Sequence, residues 1–280
     1  MQLVIVTGLS GSGKSIVLKL LEDSGYYCVD NLPATLLPQI SEHLGQVQHE
    51  RVAISIDTRS ASLEALPGNI RTLKGEGMDV QVLFLEANVE TLVKRYSETR
   101  RRHPLSNDTS TLAESISHER HLLEPLVDLG LRIDTSNLSA NALRHWVREF
   151  VTQRNGELVL LFSSFGFKHG IPLDADYVFD VRCLPNPYYD LALRPKTGQD
   201  KAVCDFLEQH ESVQDMYEDI RQFIERWLPS FVADNRSYLT VAIGCTGGQH
   251  RSVYLTERLA SYFRHQQQRV MVRHRSLEQG

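Results

Sequence analysis

Four cysteines in 280 residues, Cys28, Cys183, Cys204 and Cys245, lie far apart along the chain. They form no Cys-x-x-Cys pair and lack zinc-site spacing, which excludes a disulfide scaffold and a structural zinc centre and fits a reducing compartment. Positive charge is not in excess either. With 30 basic against 35 acidic side chains the net charge is −5, which excludes a surface devoted wholly to nucleic acid but leaves room for a local basic patch. No stretch approaches the ~20 apolar residues that span a bilayer, and no cationic segment precedes the first apolar run. The expectation is a soluble, cytoplasmic protein without a membrane partner. Internal repeats and low-complexity tracts are absent as well.

The chain is longer than one hydrophobic core usually serves, and its 41% apolar residues can fill two. Short β-rich runs at Leu3 to Thr7, Tyr26 to Val29, Val52 to Asp57, Val80 to Leu85 and Arg132 to Asp134 alternate with helical patterns. That alternation predicts a parallel sheet with covering helices. A helix from about Ala140 to Arg154, with Leu143, Val147 and Phe150 on one face, runs into the turn signal Asn155-Gly156. A boundary there divides the chain into residues 1–154 and 155–280. The second part predicts strands at Leu158 to Phe162, Leu239 to Ile243 and Val270 to Val272. Its helices are expected at Val203 to His210, Val213 to Trp227 and Ser252 to Gln267. The fold class read from these patterns is α/β: an N-terminal P-loop NTPase or kinase-like parallel sheet with helices on both faces, plus a second, smaller α/β domain.

The most informative segment is Gly8-Leu9-Ser10-Gly11-Ser12-Gly13-Lys14-Ser15, between the apolar run Leu3 to Val6 and the helical stretch Ile16 to Leu21. In a strand-loop-helix setting the glycines let successive N–H groups face a polyphosphate. Lys14 can reach the β and γ oxygens, and the Ser15 hydroxyl can coordinate Mg²⁺. ATP or GTP with Mg²⁺ is the cofactor this predicts. Asp57, at the end of a strand, is the first choice for the carboxylate opposite Ser15, with Asp30 and Glu86 competing for that role. The run Lys94, Arg95, Arg100, Arg101, Arg102, His103 reads either as a basic lid over the phosphates or as a solvated helix face.

A second glycine-rich loop, Gly244-Cys245-Thr246-Gly247-Gly248-Gln249-His250-Arg251-Ser252, joins a strand to a helix. Adjacent glycines permit an anion-binding nest, and Arg251 can grip two oxygens bidentately. Three readings stay open: a site for a phosphorylated small molecule, a structural turn, or a phosphatase with the Cys-x5-Arg-Ser spacing and Cys245 as nucleophile. Against the phosphatase, Gly244 stands where such enzymes usually carry histidine, and no general acid is evident. His169 and Asn186 are further polar candidates. Near the C-terminal end Arg264, Arg269, Arg273 and Arg275, interleaved with His265 and His274, form either an RNA-contacting patch or a solvated tail.

The phosphate loop resembles, together with Tyr26-Tyr27-Cys28-Val29-Asp30-Asn31-Leu32-Pro33, Ser163-Ser164-Phe165-Gly166-Phe167-Lys168-His169-Gly170 and Cys245 to Ser252, the RapZ family of bacterial nucleotide-binding RNase adapters. The likeness spans essentially the whole chain. It implies a kinase-like domain with ATP at Gly8 to Ser15 and GTP contacts at Asp57-Thr58-Arg59-Ser60. It also implies a C-terminal domain that binds small regulatory RNA and an amino-sugar phosphate, glucosamine-6-phosphate. In enteric members the RNA is presented to the endonuclease RNase E, linking amino-sugar supply to synthesis of the enzyme that makes it. Two departures stand out: Tyr188-Tyr189 replaces a His-Trp pair, and Glu278-Gln279-Gly280 replaces a lysine-rich tail.

The reading is therefore a nucleotide-binding regulatory protein with a phosphosugar site at Cys245, Thr246, Gly247, Gly248, His250, Arg251 and Ser252. It hydrolyses nucleotide slowly at most, and no residue is assigned a catalytic role. Homo-oligomerisation is expected, because a bipartite RNA surface gains effective concentration from several subunits. The rivals are a small-molecule kinase and a nucleotide-gated metabolite sensor without an RNA role.

Overall fold

The computed structural model describes residues 1–46, 49–60, 62–107, 109–152, 158–234 and 236–277. The chain divides into two compact units, Met1–Asn155 and Gly156–Gly280. The expected turn at Asn155-Gly156, Arg154 before it and the terminal Glu278-Gln279-Gly280 lie outside the described residues.

In the first unit the elements run β1 (Gln2–Gly8), α1 (Lys14–Asp23), β2 (Tyr27–Val29), α2 (Leu37–Gln46), β3 (Arg51–Ser55) and α3 (Leu66–Gly75). They continue with β4 (Asp79–Glu86), α4 (Val89–Thr99), α5 (Leu112–Leu123), β5 (Leu131–Asp134) and α6 (Ala140–Thr152). The five strands form one parallel sheet in the order β2-β3-β1-β4-β5. Such a sheet is buried on both faces, which is why β1 and β4 read as unbroken apolar runs. Leu3, Ile5, Val52, Ile54, Val82 and Phe84 pack with Leu37, Leu44, Leu66 and Leu73 in one core. The alternate residues Val4, Val6, Ala53, Leu83 and Leu85 are buried as well. They point to the opposite face, where α1 packs on β1, β3 and α6.

Local chemistry sets the helix starts. Asn88 caps α4 by accepting from the Thr91 N–H at 2.8 Å, and Thr111 with Glu114 forms a capping box on α5. By contrast, α1 begins at Lys14 after Gly13, whose φ is 109°, and no side chain caps it. Its first N–H groups stay available to a ligand.

The second unit runs β6 (Val159–Gly166), β7 (Tyr177–Asp180), α7 (Lys201–Glu208), α8 (Glu211–Ala233), β8 (Tyr238–Cys245), α9 (Arg251–His265) and β9 (Arg269–His274). Its sheet is also parallel, in the order β7-β8-β6-β9. Leu160, Phe162, Val241 and Ile243 pack against Leu255, Leu259 and Phe263 of α9 and against Ile220 and Ile224 of α8. β7 lies between the expected strand Leu158 to Phe162 and the expected helix Val203 to His210, where no strand was expected. With one side of its backbone unpaired at the sheet edge, it needs only four residues.

Candidate functional site

The first unit brings Gly8 to Ser15 to the C-terminal end of the central strand β1, where βα units place their ligands. Gly8, Gly11 and Gly13 all have positive φ. A Cβ on Gly8 would stand 1.9 Å from the Leu85 carbonyl oxygen of β4, so both backbone conformation and space demand glycine there. A cavity of about 630 Å³ opens over the loop. Its walls include Lys14 and Ser15, Asp30 beyond β2, Asp57 and Arg59 beyond β3, Arg95, Arg101 and Arg102, and Leu138, Ala140 and Leu143 around the start of α6.

Within this cavity Lys14, Arg59 and Arg95 each have partners in the protein. Lys14 Nζ donates to the carbonyl oxygens of Gly8 at 2.7 Å and Leu9 at 3.1 Å. Burial lowers its pKa despite the opposing charges of Glu119 and Asp57. Arg59 holds both Asp57 oxygens, with Nη2 2.6 Å from Oδ2 and Nε at 3.0 Å. Arg95 ties the phosphate loop to the segment after β5 by donating to Gly11 O, Thr135 Oγ1 and Thr135 O.

Asp57 and Asp30 both line the cavity, as does Ser15, the expected magnesium ligand. Glu86 does not belong there. Its buried carboxylate is shared between Arg120 at 2.9 Å and Arg132 at 2.7 Å, a separate cluster that removes it from competition. The expected lid splits likewise. Arg95, Arg101 and Arg102 reach the cavity, whereas His103 is buried against Glu119.

Glu119 is the residue that sequence reasoning missed. Its fully buried carboxylate accepts from Ser10 N at 2.9 Å, Ser10 Oγ at 2.7 Å and Thr58 Oγ1 at 2.8 Å, and pairs with His103 Nε2 at 3.1 Å. One side chain thus joins the phosphate loop, the 57–60 segment and the end of the basic run. Burial raises its pKa, but the hydrogen bonds from His103 and Ser10 and the Lys14 charge outweigh that and bring the carboxyl below its ordinary value. The signal was present in the sequence as a carboxylate on the apolar stripe Ile116, Glu119, Leu123, spaced three and four residues apart.

In the second unit the glycine-rich loop follows β8 and leads into α9. Cys245 Sγ lies 3.2 Å from both Gly248 N and Ser252 Oγ. Burial pushes this thiol up, while those hydrogen bonds and the Arg251 charge bring it below its ordinary pKa. A Cβ on Gly166 would stand 2.7 Å from the Gly247 carbonyl carbon, so the end of β6 presses directly on the loop. Thr246 is exposed and Gly247 half-buried, whereas Cys245, Gly248, His250, Arg251 and Ser252 are buried. Burial lowers the His250 pKa, outweighing the opposing hydrogen bonds from its ring to the backbone carbonyls of Leu193, Lys196 and Arg194.

Arg251 corrects the expectation of a free bidentate grip. Its Nη1 donates to the carbonyls of Arg182 at 2.7 Å and Leu184 at 2.9 Å. A buried guanidinium must find acceptors, and these carbonyls are fixed in place. What remains is the Nε/Nη2 edge, where Nη2 reaches Thr246 Oγ1 only at 3.4 Å and the buried Nε has no partner among the described residues.

The C-terminal arginines do not form one surface, a second correction. Arg264 is exposed and Arg269 half-buried, but Arg273 and Arg275 are buried. Arg275 Nη1 lies 3.2 Å from both Asp174 oxygens, and Arg273 Nη1 donates to Val272 O. His274 also turns inward, to Ser164 Oγ at 2.8 Å and Glu257 at 2.9 Å. The reason is burial at the strand end: β9 lies against β6, so the side chains of Arg273, His274 and Arg275, all buried, must find acceptors inside the fold rather than in solvent.

Among the described residues no helix is long and apolar enough to cross a membrane, and no cluster of His, Cys, Asp and Glu is arranged to hold a metal by itself. Residues 1–155 match the model for a RapZ-like N-terminal domain and residues 158–278 that for a RapZ C-terminal domain. A nucleotide-binding protein from Methylobacillus flagellatus is 87% identical over 99% of each chain. One from Chromobacterium violaceum is 58% identical over the same shares. Among solved structures, shikimate kinase from Bacteroides thetaiotaomicron is 14% identical, with a TM-score of 0.38 over 54% of this chain and 99% of that one. With both halves matched in order and close relatives aligned end to end, the chain belongs to the RapZ family.

Proposed function

We propose that this protein is a nucleotide-binding regulator that couples a nucleoside triphosphate in its first unit to a phosphosugar and RNA in its second. The observation that carries the nucleotide half is the cavity over Gly8 to Ser15, which joins an uncapped helix start to Lys14, Ser15, Asp57 and Arg95. ATP at Gly8 to Ser15 with Mg²⁺ on Ser15 and opposite Asp57 fits those donors, and GTP contacts at Asp57 to Ser60 follow from the family. The relatives from Methylobacillus flagellatus and Chromobacterium violaceum bear the name nucleotide-binding protein.

In the second unit the unpartnered buried Nε of Arg251 supports an anion at the Cys245 to Ser252 loop. A buried donor left unpaired costs about 1–3 kcal/mol, which a phosphate oxygen recovers. Glucosamine-6-phosphate, small regulatory RNA and presentation of that RNA to RNase E by a homo-oligomer come from the family resemblance. The exposed Arg264 and half-buried Arg269 are what remains of the arginine patch.

The test is RNA affinity at one salt concentration, using RNA recovered by crosslinking in the protein's own cells. Nucleotide with Mg²⁺ and glucosamine-6-phosphate are each expected to shift that affinity. Replacing Arg264 and Arg269 by alanine is expected to weaken it and to lower the salt slope by about one per lost phosphate contact. Recovery of no specific RNA, or affinity that neither ligand moves, removes the adapter reading.

A further inference from the structure

The cavity over the phosphate loop has two chemically different ends. The strand order β2-β3-β1-β4-β5 puts the loop in the middle, with the segment after β5 on one side and the ends of β3 and β2 on the other. On the β5 side the walls are Leu138, Ala140 and Leu143 with the hydroxyls of Thr135 and Ser139. The Thr135 hydroxyl is committed to the Ser12 and Glu86 carbonyls, which leaves a largely apolar slot suited to the faces of a nucleobase. On the β3 side the walls are Ser55, Asp57, Arg59 and Asp30, charged groups unsuited to a base.

A nucleotide whose phosphates lie on Gly11 to Ser15 and whose base fills the β5 side directs its terminal phosphate toward the β3 side. Space and charge remain there. Arg59 is half-exposed and keeps only Nε and Nη2 on Asp57, which leaves Nη1 for a ligand. Asp30 is an exposed carboxylate that lines the same cavity and lies within electrostatic range of both Lys14 and Arg59. An anion-holding arginine and a carboxylate thus flank the place where the terminal phosphate ends.

We propose that the β2–β3 end of this cavity is an acceptor subsite, where a small hydroxylated anion receives the terminal phosphoryl group of the bound nucleotide. Arg59 holds the carboxylate or phosphate of the acceptor, and Asp30 faces its hydroxyl. The acceptor oxygen forms a bond to the γ-phosphorus as the bond from that phosphorus to the β–γ bridging oxygen breaks. The electron pair leaves with the nucleoside diphosphate. The hydroxyl proton passes to the Asp30 carboxylate and on to solvent, which Asp30 already touches. The subsite rests on the nucleotide reading above and adds a substrate class to it.

The full-length protein with Mg²⁺ and γ-labelled ATP is incubated with a deproteinised small-molecule extract of its own cells, and label is followed by anion exchange. Binding of a fluorescent ATP analogue is measured alongside. The expected result is a labelled low-mass ester whose formation drops at least tenfold in Arg59→Ala and in Asp30→Asn. Extract treated beforehand with alkaline phosphatase, which is then removed, identifies the anchor. Survival of transfer assigns a carboxylate acceptor, and its loss assigns a phosphate acceptor. If ATP binds but label appears only in inorganic phosphate or stays in ATP, or if both variants transfer as well as the parent, the acceptor subsite is wrong. If ATP does not bind at all, the nucleotide reading falls with it.

Discussion

The Glu119 carboxylate accepts from both the backbone N–H and the hydroxyl of Ser10, at 2.9 and 2.7 Å, so the phosphate loop is held from behind by a helix more than a hundred residues away. The same carboxylate holds Thr58 and His103. Replacing it by alanine strands several buried donors at once. Glu119→Ala is expected to cost about 3 kcal/mol, read by urea unfolding, and to weaken ATP-analogue binding. A variant of unchanged stability and affinity removes Glu119 from this role.

The pH dependence follows from the same group. A carboxyl whose pKa is lowered on folding releases its proton more readily in the native chain than in the unfolded one. Its stabilisation is complete above the unfolded value, about 4.3, and is lost as pH falls through the folded value. Stability of the first unit is expected to decline below about pH 4, and the decline to flatten in Glu119→Gln. Parallel urea curves for the two proteins across that range check it.

Gly8→Ala tests the strand-to-loop junction. With φ at 124° and a Cβ position 1.9 Å from Leu85 O, alanine is both strained and blocked. A loss of at least about 2 kcal/mol and of ATP-analogue binding is expected. A stable, binding-competent Gly8→Ala protein contradicts the close approach of β1 to β4.

Arg251→Lys separates charge from geometry in the second loop. Lysine keeps the charge but cannot hold the Arg182 and Leu184 carbonyls while offering a second edge to a ligand. Affinity for glucosamine-6-phosphate by calorimetry is expected to fall at least tenfold, on the order of 1.4 kcal/mol. Full affinity in the lysine variant shows that the planar fork is not used.

Thiol reactivity gives an independent map of the second unit. Cys183 is exposed and Cys245 buried, so Cys183 is expected to alkylate first in the native protein, although the Cys245 thiol has the lowered pKa. In the first unit burial pushes Cys28 up to about 11, which keeps it neutral and slow at pH 8. Mass spectrometry of a timed iodoacetamide reaction reads the order.

Local pattern carried much of the architecture. Gly8 to Ser15, a glycine-rich loop between an apolar strand and a helix, is legible because each residue's task is met by its neighbours. The buried strands β1, β4, β6 and β8 are legible because parallel sheets need apolar side chains on both faces. β7 was not, since a four-residue edge strand leaves little periodicity to read. The arginines failed for a related reason: basic composition was visible, but the burial of Arg273 and Arg275 depends on β9 pairing with β6 and on Arg275 meeting Asp174.

The amino-acid sequence by itself determined the two phosphate-loop-like turns, the alternating α/β layout and the family, because these rest on contacts between near neighbours and on glycines whose backbone freedom is intrinsic. Only the tertiary structure decided which charges face a ligand. Asp57 beside Arg59, Glu86 between two arginines, Glu119 beneath Ser10 and Arg251 on two carbonyls are pairings made largely across the fold. A buried charge takes whichever partner the packing brings within about 3 Å, whatever its place in the chain.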